Sequence, residues 1–123
     1  MTIFYVAAGG AVGASLRYLV GVASGRLIGF GFPWGTLVCN ALGCFLMGVL
    51  IELMATKLTV HNDLRAFLAV GLLGGFTTYS AFSADFATLL GRGETYQAVL
   101  YVSVTLTLAL AGVFAGFAFV RAL

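Results

Sequence analysis

The chain has 123 residues, 62% of them hydrophobic and 8% charged, with a mean hydropathy of +1.11. A soluble domain carries roughly a quarter charged residues, so six basic and four acidic side chains are too few to coat a water-facing surface. The net charge of +2 is too small, and its basic residues too scattered, for a nucleic-acid footprint.

Four apolar segments are long enough to cross a hydrocarbon core of about 30 Å at a rise of about 1.5 Å per residue. The expected spans are 3–22, 34–54, 66–90 and 98–120 of one transmembrane domain covering 1–123. This predicts an all-α membrane protein, since helices satisfy their own backbone in lipid.

The first span is apolar from Met1 to Ala14, lacks a basic leader, and meets its first charge at Arg17. It is therefore expected to be a retained helix. Gly9, Gly13, Arg17 and Gly21 recur every four residues and form one stripe. Small residues let helix backbones approach closely in lipid. Arg17 reads as a structural polar residue, bonding carbonyls of a neighbouring helix or snorkelling outward, or as a functional one.

Pro33 opens the second span, and Trp34 sits where an interfacial aromatic belt belongs. Asn40 lies mid-span, and its amide suits either an anion or an interhelical bond. Cys39 and Cys44 are five apart, which turns a helix by about 140°, so they should not bridge.

The third span contains Gly74-Gly75-Phe76-Thr77-Thr78-Tyr79-Ser80-Ala81-Phe82-Ser83 at mid-membrane. Paired glycines and threonines are poor helix formers, which predicts a helix break. Freed carbonyls at that depth need protein, water or an ion. Two readings follow: carbonyls converging from two subunits on a hard cation such as Na⁺, or a kink repaired by threonine hydroxyls. Tyr79 and Phe82 share a helical face, as do Ser80 and Ser83. Aromatic rings have positive edges, so such a pair can either pack or present edges to an anion. In the fourth span, Tyr96 and Tyr101 are expected in the interfacial belt, and Gly112-x-x-x-Gly116 marks a packing face.

Lys57, Arg65, Arg121 and the N-terminus fall on one side, Arg26 and Arg92 on the other. The positive-inside rule thus gives almost no preference. Opposite copies are then expected to pair as an antiparallel, dual-topology homodimer about an in-plane two-fold axis.

Enzymatic function finds no support: Glu52, Asp63, Asp85 and Glu94 are dispersed, and His61 is in a loop. Phosphoryl transfer needs carboxylates gathered around Mg²⁺. The alternative is a small multidrug-resistance-type proton-coupled transporter, which requires an intramembrane carboxylate; the first span carries Arg17 instead.

Three ordered motifs resemble the Fluc/CrcB family of small fluoride channels. They are Gly9-Gly10-Ala11-Val12-Gly13-Ala14-Ser15-Leu16-Arg17-Tyr18, Gly35-Thr36-Leu37-Val38-Cys39-Asn40-Ala41-Leu42-Gly43, and the run from Gly74 to Ser83. The resemblance covers all four spans in order. It implies a fluoride path using Asn40, Tyr79 and Phe82, with Ser80 and Ser83 as nearby hydroxyls and Ser103 and Thr105 as candidates on the fourth helix. It implies that the carbonyls of Gly74 and Thr77 hold a structural Na⁺ between two antiparallel subunits with two pores. Cys39 stands where the family commonly has Val, and Tyr79 where it commonly has Phe. The expected function is passive export of cytoplasmic fluoride across the plasma (inner) membrane.

Overall fold

The computed structural model describes residues 1–123 and is entirely helical. The helices in chain order are α1 (Thr2–Leu27), α2 (Trp34–Thr56), α3 (Asn62–Gly91, interrupted) and α4 (Thr95–Arg121), all four long and apolar enough to cross a membrane. At about 1.5 Å per residue, the 23 to 27 residues of the continuous helices outlast the hydrocarbon core. Only 18 of 123 residues are buried, while Phe4, Tyr18, Leu19, Val70, Leu110 and Phe114 stand exposed. An apolar exterior of this extent is stable against lipid, not water. The chain is a multi-pass membrane protein.

α1 runs further than its apolar pattern suggested. Ser24, Gly25 and Arg26 form its last turn rather than a linker. The turn that follows passes through Gly29 at a φ of +122°, where a side chain would be strained. Pro33 caps α2, as its fixed φ and missing N–H allow.

Two backbone-to-backbone seams hold the bundle. α1 lies on the first half of α3: a Cβ at Gly9 would strike the Phe67 carbonyl, and one at Gly13 the Leu72 carbonyl. Gly71 and Gly75 answer from α3 against Val6 and Gly10. α2 lies on α4, with Gly48 on the Val113 carbonyl and Gly116 on the Phe45 carbonyl. The glycine stripe of α1 and the Gly112-x-x-x-Gly116 face are therefore the surfaces where these helices meet.

α3 is irregular along its first half. An α-helical turn at Asn62–Arg65 passes into π-helix over Ala66–Leu73, then a short α-helical turn at Gly74–Phe76. Thr77 and Thr78 are extended, with φ, ψ of −124°, 104° and −116°, 128°. A regular helix resumes at Tyr79–Gly91. The break falls on the paired threonines, one turn beyond the paired glycines, which remain helical.

At the far end of the α2–α4 seam, the Arg121 Nε donates to the buried Glu52 carboxylate at 2.9 Å. This fastens the end of α4 to the last turns of α2.

Candidate functional site

The break is held by side chains that replace the missing helical bonds. Thr78 N–H would ordinarily reach back to the Gly74 carbonyl; instead it donates to Asn40 Oδ1 at 2.8 Å. Asn40 Nδ2 in turn donates to the Thr78 carbonyl at 3.3 Å. The Asn40 amide thus mimics a peptide group and splints the extended segment to α2. Ala81 N–H, the usual partner of the Thr77 carbonyl, donates to Thr78 Oγ1 at 3.2 Å, making Thr78 the N-cap of the second half of α3.

Two more side chains close the region. Arg17 Nε donates to the Gly75 carbonyl at 3.1 Å, the bond to a neighbouring helix that was one of the readings open for it. Thr77 Oγ1 donates to the Leu73 carbonyl at 3.0 Å. The carbonyls of Gly74, Phe76 and Thr77 accept no hydrogen bond within the chain. Gly74 lies on the exposed surface. Neutral oxygens released by a helix break match the chemistry of a hard alkali cation. The donor set at Gly74 and Thr77 therefore fits Na⁺, although two carbonyls are fewer than such an ion takes, and a second copy would have to complete the shell.

Beside the break lies a cavity of about 230 Å³, lined by Asn40, Cys44, Thr77, Thr78, Tyr79, Phe82, Thr105, Leu106 and Ala109. Four expected site residues, Asn40, Tyr79, Phe82 and Thr105, meet there. The Thr105 hydroxyl is buried and has no hydrogen-bond partner. Ser80, Ser83 and Ser103 do not border this cavity and are exposed on the surface. Ser80 instead pairs its hydroxyl with that of Thr78 at 3.2 Å.

Aromatic rings continue from the cavity toward the Trp34 end of the bundle. Tyr79 and Phe82 stand edge to face with centroids 5.9 Å apart. Phe82 leans on Tyr101 at 5.3 Å, and Tyr101 meets Phe32 edge-on at 5.5 Å. Tyr101 is fully buried, which corrects its expected place in an interfacial belt. Its hydroxyl donates to the Asp85 carboxylate at 3.2 Å, so a polar tip that would otherwise seek headgroups is satisfied inside. Its neighbour by helical spacing is Thr105, one turn on, and Asp85 shares a face with Phe82. Those spacings were the signal for both residues.

Beyond these rings lie two polar recesses that share Gly21, Phe30, Gly35 and Thr36. One, of about 240 Å³, is bordered by Asp85, Thr88 and Arg92. The other, of about 460 Å³, is bordered by Arg17 and Tyr18. Arg92 donates to the Gly31 carbonyl at 3.0 Å and faces Glu94 at 3.4 Å. The Asp85-bordered recess, the aromatic wall and the neutral cavity thus follow one another from the Trp34 end of the bundle to the break.

A profile of the family described as "CrcB-like protein, Camphor Resistance (CrcB)" matches residues 4–117. The chain belongs to the CrcB family. Relatives in it named "Fluoride-specific ion channel FluC" are 50% identical over 118 residues in Rhizobium etli, covering 96% of this chain and 94% of that protein. One from Agrobacterium fabrum is 49% identical over 121 residues, covering 98% and 97%. Another from Cereibacter sphaeroides is 51% identical over 120 residues, covering 98% and 94%. The match to these CrcB-family proteins includes the break, the cavity and all four helices.

Proposed function

We propose that the chain is a fluoride-selective channel for passive export of cytoplasmic F⁻ across the inner membrane, conferring fluoride resistance. The observation that carries this reading is the cavity beside the break, where a buried hydroxyl lacks a partner and every lining group is neutral. The relatives' printed name supplies the ion. Fluoride is small and strongly hydrated, so each lost water needs a replacement donor. The Thr105 hydroxyl, the second Nδ2 hydrogen of Asn40 and the ring edges of Tyr79 and Phe82 are such donors. None carries a full charge, so the ion is not held too tightly to leave. Arg17, at the recess that holds no carboxylate, raises the local anion concentration.

The functional unit in this reading is an antiparallel homodimer with one path per subunit, two in all. The carbonyls of Gly74 and Thr77 from both copies would hold a sodium ion, which adds fixed positive charge and ties the two breaks together when bound. Ser80, Ser83 and Ser103, exposed on one chain, are assigned to surfaces a second copy covers or a fluoride path borders. Proton-coupled antiport has less to support it: of the intramembrane carboxylates, Glu52 is paired with Arg121 and Asp85 bonded to Tyr101.

The test is efflux from proteoliposomes read with a fluoride electrode, with chloride as control. Rapid F⁻ release without Cl⁻ release is expected. No release, or equal release of both ions, overturns the proposal.

A further inference from the structure

The α1–α2 turn and the α3–α4 turn meet at the Trp34 end of the bundle, where Arg92 ties them by donating to the Gly31 carbonyl at 3.0 Å. A recess of about 530 Å³ lies between them, bordered by Phe32, Trp34, Glu94, Tyr96, Gln97 and Leu100. It opens on the surface, since Tyr96 is 79% exposed and Leu100 42%. The Phe32 and Trp34 rings touch, with centroids 4.7 Å apart and planes inclined at 51°, and Tyr96 adds a third ring. Glu94 is the one charged side chain on the border. Arg92 meets only its Oε2, at 3.4 Å, and its Oε1 accepts nothing within the chain. Trp34 begins α2 and Tyr96 lies in the first turn of α4, which sets the recess at the water end of two spans, the depth of lipid headgroups. Three rings and a carboxylate at that depth are complementary to an ammonium ion. Leu100, one turn deeper on α4 than Tyr96, carries an apolar surface on toward the hydrocarbon.

We propose that this recess is a lipid site that takes the ammonium headgroup of an amine phospholipid such as phosphatidylethanolamine. The ammonium donates to Glu94 Oε1 and to the Gln97 side-chain carbonyl and lies against the rings, while an acyl chain runs down past Leu100. A headgroup without an amine offers the Glu94 carboxylate no donor cation. Nothing in this assignment depends on which ion the protein conducts.

Trp34 is the only tryptophan of the chain, so its fluorescence reports on the recess directly. The protein is reconstituted into mixed vesicles of phosphatidylethanolamine, phosphatidylglycerol and a neutral glucosyl diacylglycerol, with bromine on the acyl chains of one lipid at a time as the quencher. Phosphatidylethanolamine is expected to quench with a relative affinity about two- to five-fold above either amine-free lipid, as one exposed cation–π contact gives. Glu94→Gln and the charge-neutral Tyr96→Leu should each bring that ratio close to one. Asp63→Asn, at the opposite end of the bundle, should leave it unchanged. Equal quenching by the three lipids overturns the inference, as does a preference that survives both recess variants. A loss with Asp63→Asn as large as with Glu94→Gln would mean an effect of net charge alone and overturns it as well. So does a Trp34 that none of the lipids reaches, the result expected if a second copy covers the recess.

Discussion

Asn40 and Thr105 make opposite contributions to stability, although both face the same cavity. Asn40 satisfies the N–H and carbonyl of Thr78, so it holds the break while also lining the cavity of the proposed path. Asn40→Asp keeps the acceptor for Thr78 N–H but cannot donate to the Thr78 carbonyl, and it adds a negative charge on the proposed anion path. We expect F⁻ efflux to fall to background while elution from a sizing column stays that of the unchanged protein. Thr105 carries a buried hydroxyl with no partner, a group whose desolvation costs about 1–3 kcal/mol. Thr105→Val removes that cost at nearly constant volume. The expected outcome is higher resistance to unfolding in detergent together with a loss of most of the efflux. A variant less stable than the parent would show that the hydroxyl is bonded after all.

The same scale separates what was legible from what was not. Asn40 stood out as a polar group inside a span, but its amide, like the Tyr79 and Phe82 rings, suited packing as well as an ion, and only the family resemblance singled these residues and Thr105 out as a path. Tyr101 was misplaced because a tyrosine near a span end has two homes, the headgroup layer or a buried partner. Only the position of Asp85, on another helix, chooses between them.

Helices α1 and α3 illustrate how a pattern of small residues becomes a structure. Gly9 and Gly13 face carbonyls of the π-helical stretch and the residues after it, so the backbones touch where side chains would stand. Gly10, next to Gly9 in sequence, has open space where its Cβ would be. Gly13→Ala should therefore destabilise the fold by about 1–3 kcal/mol through overpacking, and Gly10→Ala should be neutral or slightly stabilising. Unfolding in a denaturing detergent series checks both. Equal effects would mean that the α1–α3 seam is looser than described. The break itself was expected from Gly74 to Thr78, but its location at Thr77–Thr78 depends on Asn40 taking the Thr78 N–H. That competition between a helical carbonyl and a side chain from α2 cannot be seen along one strand of sequence. The π-helical stretch, Ala66–Leu73, has no sequence signal in its run of apolar residues.

For the whole molecule, near-equal basic charge at the two ends gives no orientation preference by the positive-inside rule. In an antiparallel dimer both orientations are needed, so bias should be harmful alone and harmless in a pair. Leu58→Lys with Thr59→Lys loads one end; Thr95→Lys with Gln97→Lys loads the other. Each double variant expressed alone is expected to lose fluoride resistance in cells, and co-expression of the two to restore it. Full resistance from either alone would refute the antiparallel assembly. The exposed Gly74 carbonyl, with no donor inside the chain, is where such an assembly gains its central contact in the proposed dimer.

Composition and span length by themselves determined a four-helix membrane protein, because transfer of backbone and apolar surface into lipid depends on content rather than on partners. The glycine stripes likewise marked the helix faces that meet, since backbone contact in lipid requires small residues wherever the partner lies. The tertiary structure decided the rest: which carbonyls are left free, why Tyr101 is buried, and which of several hydroxyls enters the cavity. The freed Gly74 carbonyl and the buried Tyr101 turn on hydrogen bonds between helices distant in sequence, and the cavity lining turns on how α2, α3 and α4 pack, so neither exists until the helices are together.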